Sequence, residues 1–370
     1  MRAFYHPRQS LHDPQQFMRY GRMVPAKDLP ARVDALLGAV RAMGAEPEAP
    51  KSDHADARLA VHTAGFLAFL EGAWGRWRTL PDHGPEVWPN TFPYWSGRPE
   101  DRARPDCPAE SIVARTGWYL GDLSVALGPN SWESIRESCN TAVAAADTLI
   151  ETTHSAAEPQ FSSPKPPTFA KATVGRQAPS MIYALCRPSG HHARADRASG
   201  FCFVNNTAVA AQRLRSTFNR VAILDVDAHH GDGTQQIFYS RADVLTVSIH
   251  ADPKNYYPFF TGYTGETGIG GGEGFNLNLP LAHGSTGTAM MAAVDTACDR
   301  IQQFGPDGLV VALGFDAHAR DPIGVLKLEA DDFGTIGRRV RELRLPTLVV
   351  QEGGYAIDVL GDCLTAFFRA

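Results

Sequence analysis

The chain has 370 residues, of which 44% are hydrophobic and 20% are charged, as in ordinary globular enzymes. Its formal net charge of −5 and the lack of a basic stripe interleaved with aromatic residues argue against a nucleic-acid partner. No apolar run approaches the roughly 18 residues of a membrane span, and the N-terminus has no signal-peptide core, so we expect a cytoplasmic protein without membrane association.

The first half of the chain predicts helices separated by irregular segments. Apolar residues at helical spacing over 32–43, 57–79 and 132–150 predict three helices. Residues 80–110 are rich in proline and aromatic residues, which favours a long ordered or partner-facing loop. Residues 154–179 are rich in Pro, Ser and Ala without a period and predict a flexible insertion.

Five short apolar runs in the second half predict the strands of a parallel sheet. The runs lack polar alternation, as expected for strands covered on both faces, and amphipathic stretches such as 206–216 and 287–303 separate several of them. This alternation predicts an α/β fold in which helices flank a central parallel sheet, within a single domain over residues 1–370. The runs are 181–185, 221–226, 244–249, 309–314 and 346–351.

Polar residues that can bind a metal or take part in catalysis follow each of these runs directly. The sequences after the runs, in chain order, are CRPSGHHARAD, DAHHGDG, HADP, FDAHARDP and EGGY. Since the functional crevice of an open parallel α/β sheet lies at the carboxyl ends of its strands, we expect these groups to meet in one place.

Two aspartates and a histidine form a candidate metal site. Asp227 and His229 are two residues apart at a strand end, so period-two geometry predicts that both side chains lie on one face. Asp316 follows another strand and is the candidate third ligand. One imidazole and two carboxylates leave a position for water, as in catalytic zinc sites. The alternative for each residue alone is a loop cap.

A histidine pair and a tyrosine are candidates for proton transfer and charge stabilisation. Amide hydrolysis needs a base for the attacking water and an acid for the leaving amine, and His191 and His192 can divide these tasks. Asp225 and Asp232 are the candidates for orienting them. Tyr355 follows two glycines and could donate to the developing oxyanion. The alternatives are a hydrogen-bonded loop pair and a solvent-facing turn tyrosine. The histidines expected to be structural are His230, His250 and His318.

The motifs resemble those of the arginase–deacetylase superfamily, in its histone deacetylase branch. RPSGHHA, GFCFVNN, ILDVDAHHGDGTQ, VSIH, GFDAHARDP and EGGY match in order and spacing, while FYHP and VHTAGFLAFLEGAW look like bacterial acetylpolyamine amidohydrolases. The resemblance implies the arginase–deacetylase fold and one Zn²⁺ on Asp227, His229 and Asp316. It also implies that His191 pairs with Asp225, that His192 pairs with Asp232, and that Tyr355 polarises the scissile carbonyl.

The resemblance further implies structural K⁺ ions and a substrate tunnel. The tunnel positions are Gly200, Phe201 and Tyr257, whose aromatic members would hold a slim aliphatic chain. The residues implied for the first potassium site are Asp225, Asp227, His229, Ser248 and Ile249. Those implied for the second are Phe238, Arg241, Val244 and Phe275.

Substrate specificity departs from the family pattern at two positions. Val113 and Ser124 stand where the polyamine enzymes carry carboxylates, with Glu110 and Asp122 nearby. Residues 80–110 resemble the insertion that builds a homodimer, or a higher homo-oligomer, and narrows the active-site mouth, which favours small substrates over protein tails.

We therefore predict a metal-dependent amidohydrolase that cleaves small linear N-acyl amines, acetylpolyamine-like or otherwise, to a carboxylate and a free amine. Alternatives are a protein acetyl-lysine deacetylase and a hydrolase of small xenobiotic amides. A binuclear manganese ureohydrolase is disfavoured because His191, His192 and Tyr355 match deacetylase roles. An inactive sensor is disfavoured because no ligand position is lost. The ligand set also suits Fe(II), Co(II) or Mn(II).

Overall fold

The computed structural model describes residues 1–93, 104–157 and 181–369. Its main sheet has seven strands, all parallel, in the order β1-β4-β9-β8-β5-β6-β7. A separate antiparallel hairpin is formed by β2 and β3. The strands are β1 Arg2–Phe4, β2 Gln16–Arg19, β3 Arg22–Pro25, β4 Met181–Ala184, β5 Val221–Asp225, β6 Val244–Ala251, β7 Asn276–Leu281, β8 Gly308–Leu313 and β9 Thr347–Gln351.

Helices cover both faces of the sheet. Apolar residues of β5, β6 and β8 pack on one face against helices α1, α8, α9 and α10 and on the other face against α5 and α6. A third cluster joins α3 and α4 to the outer side of α5. The helices are α1 Ala31–Ala42, α2 Ala55–Leu59, α3 Ala64–Trp77, α4 Ile112–Tyr119, α5 Ser131–Ala157, α6 Asn206–Leu214, α7 Asp232–Phe238, α8 Gly287–Phe304, α9 Ala330–Glu342 and α10 Ile357–Arg369.

The predicted α/β class is confirmed, and the five apolar runs form β4, β5, β6, β8 and β9. The two edge strands of the sheet had no such signal, because β1 has only three residues and β7 alternates asparagine with leucine. None of the helices in the described ranges has both the length and the apolar character that a membrane span needs.

The single helix predicted over 57–79 is wrong, because two helices, α2 and α3, occupy this range. The backbone between α2 and α3 is not helical, and residues there form hydrogen bonds with a distant loop. Thr63 N donates to Ala195 O at 2.8 Å, and His62 Nε2 accepts from Asn205 N at 2.9 Å. These contacts explain the break, since they hold 60–63 against a distant loop.

The structure describes parts of the two segments, 80–110 and 154–179, that were predicted to be loops. Within 80–110, the described residues 80–93 and 104–110 form no helix or strand, and 94–103 lie outside the described residues. Residues 154–157, assigned to a flexible insertion, instead complete α5, which begins at Ser131. The rest of that insertion, 158–179, lies outside the described residues.

Candidate active site

The carboxyl ends of β4, β5, β8 and β9 bring the predicted residues together. The loop after β4 carries His191 and His192, and the loop after β9 carries Tyr355. Asp227 and His229 follow β5 but lie beyond its last residue, Asp225. The conformation of the loop, and not the pleat of a strand as expected from period-two geometry, therefore places these two side chains.

One ligand atom from each of Asp227, His229 and Asp316 lies within 4.8 Å of the other two. His229 Nδ1 is 3.1 Å from Asp227 Oδ1 and 2.9 Å from Asp316 Oδ2. Both aspartates have no exposed surface. Two fully buried carboxylates that face each other need a cation nearby, which is the arrangement that a metal centre provides.

Charge repulsion and burial perturb all three groups. Burial and the neighbouring Asp227 raise the pKa of Asp316 to about 7. Burial opposes charge on His229, but Asp316 and Asp227 outweigh it and raise the pKa of His229 to about 9. Burial alone would raise the pKa of Asp227 as well, yet His191 and His229 lower it. The cluster thus holds protons at neutral pH that a metal ion would displace.

The backbone around this cluster leaves room only for glycine. A Cβ built on Gly353 would lie well inside 3.0 Å of the Oδ2 atoms of Asp227 and Asp316. Gly353 N also donates to Asp227 Oδ2 at 2.9 Å, and Ala228 N donates to Asp316 Oδ1 at 2.8 Å. The backbone therefore orients both carboxylates, as expected for metal ligands supported by surrounding hydrogen bonds.

The two histidines each contact a different buried aspartate. His191 Nδ1 lies 2.9 Å from Asp225 Oδ2, and His192 Nδ1 lies 2.8 Å from Asp232 Oδ1. Burial and the nearby His191 charge lower the pKa of His192 to about 4. Burial also disfavours charge on His191, but Asp225 and Asp227 raise its pKa well above the ordinary value. Burial thus favours the neutral form of His192, whereas the neighbouring carboxylates favour the charged form of His191.

A cavity of about 240 Å³ opens onto these groups. His192, His229 and Tyr355 line it, and Phe201 and Tyr257 form part of its aromatic wall. Its remaining lining residues are Phe17, Met18, Arg19, Tyr20, Ser124, Gly200, Asn255, Tyr256, Phe259 and Ile323.

Two contacts set the shape of this cavity. The Phe201 ring meets Tyr355 edge to face at 5.7 Å between centroids, and the Tyr257 ring meets His192 at 4.9 Å. Gly200 has a φ of +55°, and a Cβ there would collide with the His192 ring. The chain thus approaches the histidine closely and turns Phe201 towards the substrate space.

Sequence reasoning gave no role to Glu352 and Asp321, which hold the site, and named Asp122 only as a carboxylate near Ser124. Glu352 accepts from Gly190 N at 2.6 Å and from His191 N at 3.1 Å, so it fixes the histidine loop. Asp321 accepts from Tyr355 N at 2.7 Å. Asp122 accepts from the Tyr257 hydroxyl at 2.7 Å. Glu352 stands directly before the glycines of EGGY, which was the one available signal.

Glu352 also belongs to a second group of metal-ligating types, together with His191 and Cys202. Burial and the Glu352 charge raise the pKa of the Cys202 thiol well above its usual range. A protonated thiol is a poor metal ligand. This group is therefore better explained as internal packing and hydrogen bonding than as a metal site.

The other histidines make internal contacts. His230 Nε2 is 3.0 Å from Gln235 Oε1, His250 Nε2 is 2.9 Å from Gly262 O, and His318 Nδ1 accepts from Arg320 N. None of the three is in the described Asp227 cluster.

The residues implied for potassium lie along β5, β6 and the strand ends. Asp225 is paired with Ser248 between β5 and β6, and both line a cavity of about 10 Å³, where the buried Oδ1 of Asn278 has no partner. Ile249 follows Ser248 in β6. The second set lies at the other end of β6 and β7. In that set, Arg241 N donates to Phe238 O and Thr246 N donates to Phe275 O, while Val244 begins β6.

The positions considered for polyamine-binding carboxylates are spread apart. Ser124 lines the cavity, whereas Val113 lies in α4 and packs against the cluster of α3 and α4. Glu110 is exposed, and its backbone oxygen accepts from Arg76.

Comparisons with known proteins were consistent with this geometry. A sequence model of the histone deacetylase domain matches residues 27–370. An acetylpolyamine amidohydrolase of Burkholderia pseudomallei is 40% identical over 369 residues, covering 100% of this chain and 98% of its own. Acetylpolyamine amidohydrolase 1 of Pseudomonas aeruginosa is 40% identical, covering 98% and 96%.

Solved structures are also similar. A crystal structure of acetylpolyamine aminohydrolase from Burkholderia pseudomallei has a TM-score of 0.87 at 39% identity and covers 100% of this chain and 97% of its own. The HDA15 HD domain has a TM-score of 0.75 at 22% identity, covering 100% and 87%, which supports the fold alone.

Proposed function

The chain belongs to the histone deacetylase domain family, and we propose that it is a metal-dependent deacetylase of small linear N-acyl amines. The single observation that carries the proposal is the arrangement of Asp227, His229 and Asp316 next to a cavity that His192 and Tyr355 also line. The products are a carboxylate and a free amine.

Asp227, His229 and Asp316 are the proposed ligands of one Zn²⁺ ion. Their buried carboxylates and imidazole suit zinc, although Fe(II), Co(II) and Mn(II) accept the same ligand types. When bound, such an ion supplies Lewis-acid polarisation of the amide and a lowered pKa for water. Potassium is proposed at the polar cavity beside Asp225 and Ser248, with Asp227, His229 and Ile249, and at the second set formed by Phe238, Arg241, Val244 and Phe275.

The chain's own residues divide the proton transfers. His192 faces the cavity and is held neutral by burial, so its Nε2 can take a proton from the attacking water and return it to the leaving amine. Asp232 holds the opposite nitrogen and fixes the ring orientation. His191, kept charged by Asp225, stabilises negative charge as it develops.

Tyr355 is proposed to donate from its hydroxyl to the developing oxyanion. Burial raises the pKa of Tyr355 well above its ordinary value, so the phenol keeps its proton over the working pH range. The Tyr355 ring is held between Phe201 and the Arg32 guanidinium, which lies 4.8 Å from its centroid. Two packed sides limit its motion and direct the hydroxyl.

The cavity favours a slim, linear amide. Aromatic walls formed by Phe201, Tyr256 and Tyr257 suit a flexible aliphatic chain. The relatives matched over nearly their full length are named for acetylpolyamines, which makes acetylpolyamines the first compounds to test. Protein acetyl-lysine and small xenobiotic amides are the alternatives. We further propose a homodimer or higher homo-oligomer through 80–110 and a cytoplasmic location.

The test is turnover by the zinc-loaded protein of acetylputrescine, an acetyl-lysine peptide and N-butylacetamide. Hydrolysis of at least one small amide is expected, at a higher kcat/KM than that for the peptide. His192→Ala should retain one zinc per chain and lose at least a hundredfold in kcat. A zinc-loaded protein that hydrolyses none of these amides would contradict the proposal.

A further inference from the structure

Arg19 is a positive charge on the wall of the substrate cavity. It is half-buried at the end of β2, next to the aromatic residues Phe17 and Tyr20, which line the same space. Among the described residues that line the cavity there is no aspartate and no glutamate. Apart from the two histidines at the reaction centre, Arg19 is therefore the charged side chain among the described residues that line the cavity.

The hairpin that carries Arg19 concentrates positive charge. Tyr20 and Gly21, with φ of 50° and 75°, form the tight turn between β2 and β3. Arg19 is thereby paired directly with Arg22, and paired residues project from the same face of a hairpin. Like charges in such a pair repel each other, so an anion bound between or beside them lowers the energy of the hairpin.

Within residues 1–93, 104–157 and 181–369, Arg19 has no carboxylate partner. Its guanidinium makes a long hydrogen bond of 3.4 Å to Pro322 O and packs over the Tyr20 ring. Pro322 precedes Ile323, another lining residue, so the guanidinium is held at the cavity without being neutralised.

Two acidic side chains behind this wall are already engaged. Asp321 accepts from Ile323 N at 3.0 Å and from Tyr355 N at 2.7 Å. The other is Asp122. It accepts from Ser124 N at 2.8 Å, from Ser124 Oγ at 2.5 Å, from Gly200 N at 3.1 Å and from the Tyr257 hydroxyl at 2.7 Å. Four donors occupy its lone pairs, and they hold the cavity wall in place. A distal ammonium group on a substrate would have to break these bonds to reach this carboxylate.

We propose that this cavity selects linear amides whose far end carries a negative charge, and that Arg19 recognises this end. The proposed substrate class is the ω-(acylamino)carboxylates, and the inference rests on the proposed deacetylase function. An ammonium at the same end faces Arg19 without a free carboxylate in the described lining, so its binding is opposed. A neutral end falls between the two.

The experiment compares three substrates of similar length on the zinc-loaded enzyme. These are N-acetyl-5-aminopentanoate, N-acetylputrescine and N-pentylacetamide. We expect kcat/KM to fall in the order anion, neutral, ammonium, with about tenfold or more between the first and last. This ratio corresponds to about 1.4 kcal/mol, within the range of two partly exposed charge interactions. Raising the salt concentration should reduce the ratio, because these charges are screened.

Two variants assign the effect to Arg19. Arg19→Met should bring the ratio of anion to ammonium to within about threefold, and Arg19→Glu should reverse it. The rate of N-pentylacetamide, measured with the same variants, normalises the rates of the two charged substrates, so that any general effect of the substitution on the cavity cancels in the ratio. Arg78→Met is the matched control, because Arg78 is exposed at the end of α3 and does not line the cavity.

The outcomes separate the two proposals. If none of the three amides is hydrolysed, the proposed function fails. If they are hydrolysed but acetylputrescine is preferred, or if Arg19→Met leaves the ratio unchanged, the recognition of an anion by Arg19 is wrong while the deacetylase function stands.

Discussion

The affinity of the proposed zinc site should depend steeply on pH, with a slope that changes near neutrality. The pKa of His229 is raised to about 9 by Asp316 and Asp227 against the effect of burial, and burial and Asp227 raise the pKa of Asp316 to about 7. Zinc binds the deprotonated forms of both groups, so its binding must release their protons.

The magnitude follows from these two values. Between pH 9 and pH 7 zinc displaces one proton, from His229, and affinity falls tenfold for each pH unit lost. Below about pH 7 a second proton, on Asp316, must leave as well, and the fall becomes a hundredfold per unit. From pH 8 to pH 6 we therefore expect the zinc dissociation constant to rise about a thousandfold, or about 4 kcal/mol.

The assay is competition for zinc with a chromophoric chelator whose own pH dependence is known. Asp316→Asn should bind zinc more weakly and lose the steeper limb below pH 7. His154→Ala removes an exposed histidine near the end of α5 and should keep the wild-type slope. A change of less than tenfold between pH 8 and pH 6 would refute the assignment of these protons to zinc ligands.

Three further predictions concern single residues. Tyr355→Phe should lower kcat by about two orders of magnitude with little change in KM, measured by steady-state kinetics on any small amide that the enzyme hydrolyses; an unchanged kcat would remove its oxyanion role. Burial and the neighbouring Asp225 raise the pKa of Glu352 to about 7 from an ordinary 4.5. Ionisation of Glu352 therefore lowers the free energy of unfolding as the pH rises from 4.5 to 7, and the loss is complete above pH 7. Glu352→Gln should thus reduce the loss of unfolding free energy over that interval by up to about 3 kcal/mol in urea titrations, and an identical pH dependence in both proteins would contradict this. Gly353→Ala should abolish zinc binding without removing a ligand, whereas Gly72→Ala, where a Cβ meets open space, should not; zinc retained by the first variant would show that the backbone at this position is not a constraint.

The sequence predicted those strands of the sheet whose residues form uninterrupted apolar runs. The five apolar runs each became a strand, because strands covered on both faces need apolar residues throughout. The strand β7 was not predicted, because its polar residues Asn276 and Asn278 interrupt the apolar pattern. In the folded chain both form hydrogen bonds with the buried Gln235. The break between α2 and α3 has a similar origin, since its hydrogen bonds come from Ala195 and Asn205, in a loop that is distant in sequence.

The candidate site was predictable as a set of groups, while its supporting contacts were not. Residue types at strand ends were enough to select Asp227, His229 and Asp316, although the geometric reason offered for the first two was wrong. The contacts of Glu352 and Asp122 depend on which backbone amides fold towards them. Arg19 was missed because it lies in a separate hairpin, far in sequence from the motifs at the strand ends, and reaches the cavity only through the tertiary fold.

Anomalous diffraction from crystals of the zinc-loaded protein, collected on both sides of the zinc absorption edge, tests the central claim most directly. We predict one strong zinc peak per chain within bonding distance of Asp227, His229 and Asp316, and its loss in Asp316→Asn crystals. A zinc peak held by other residues, or none between these three, would contradict the proposed active site.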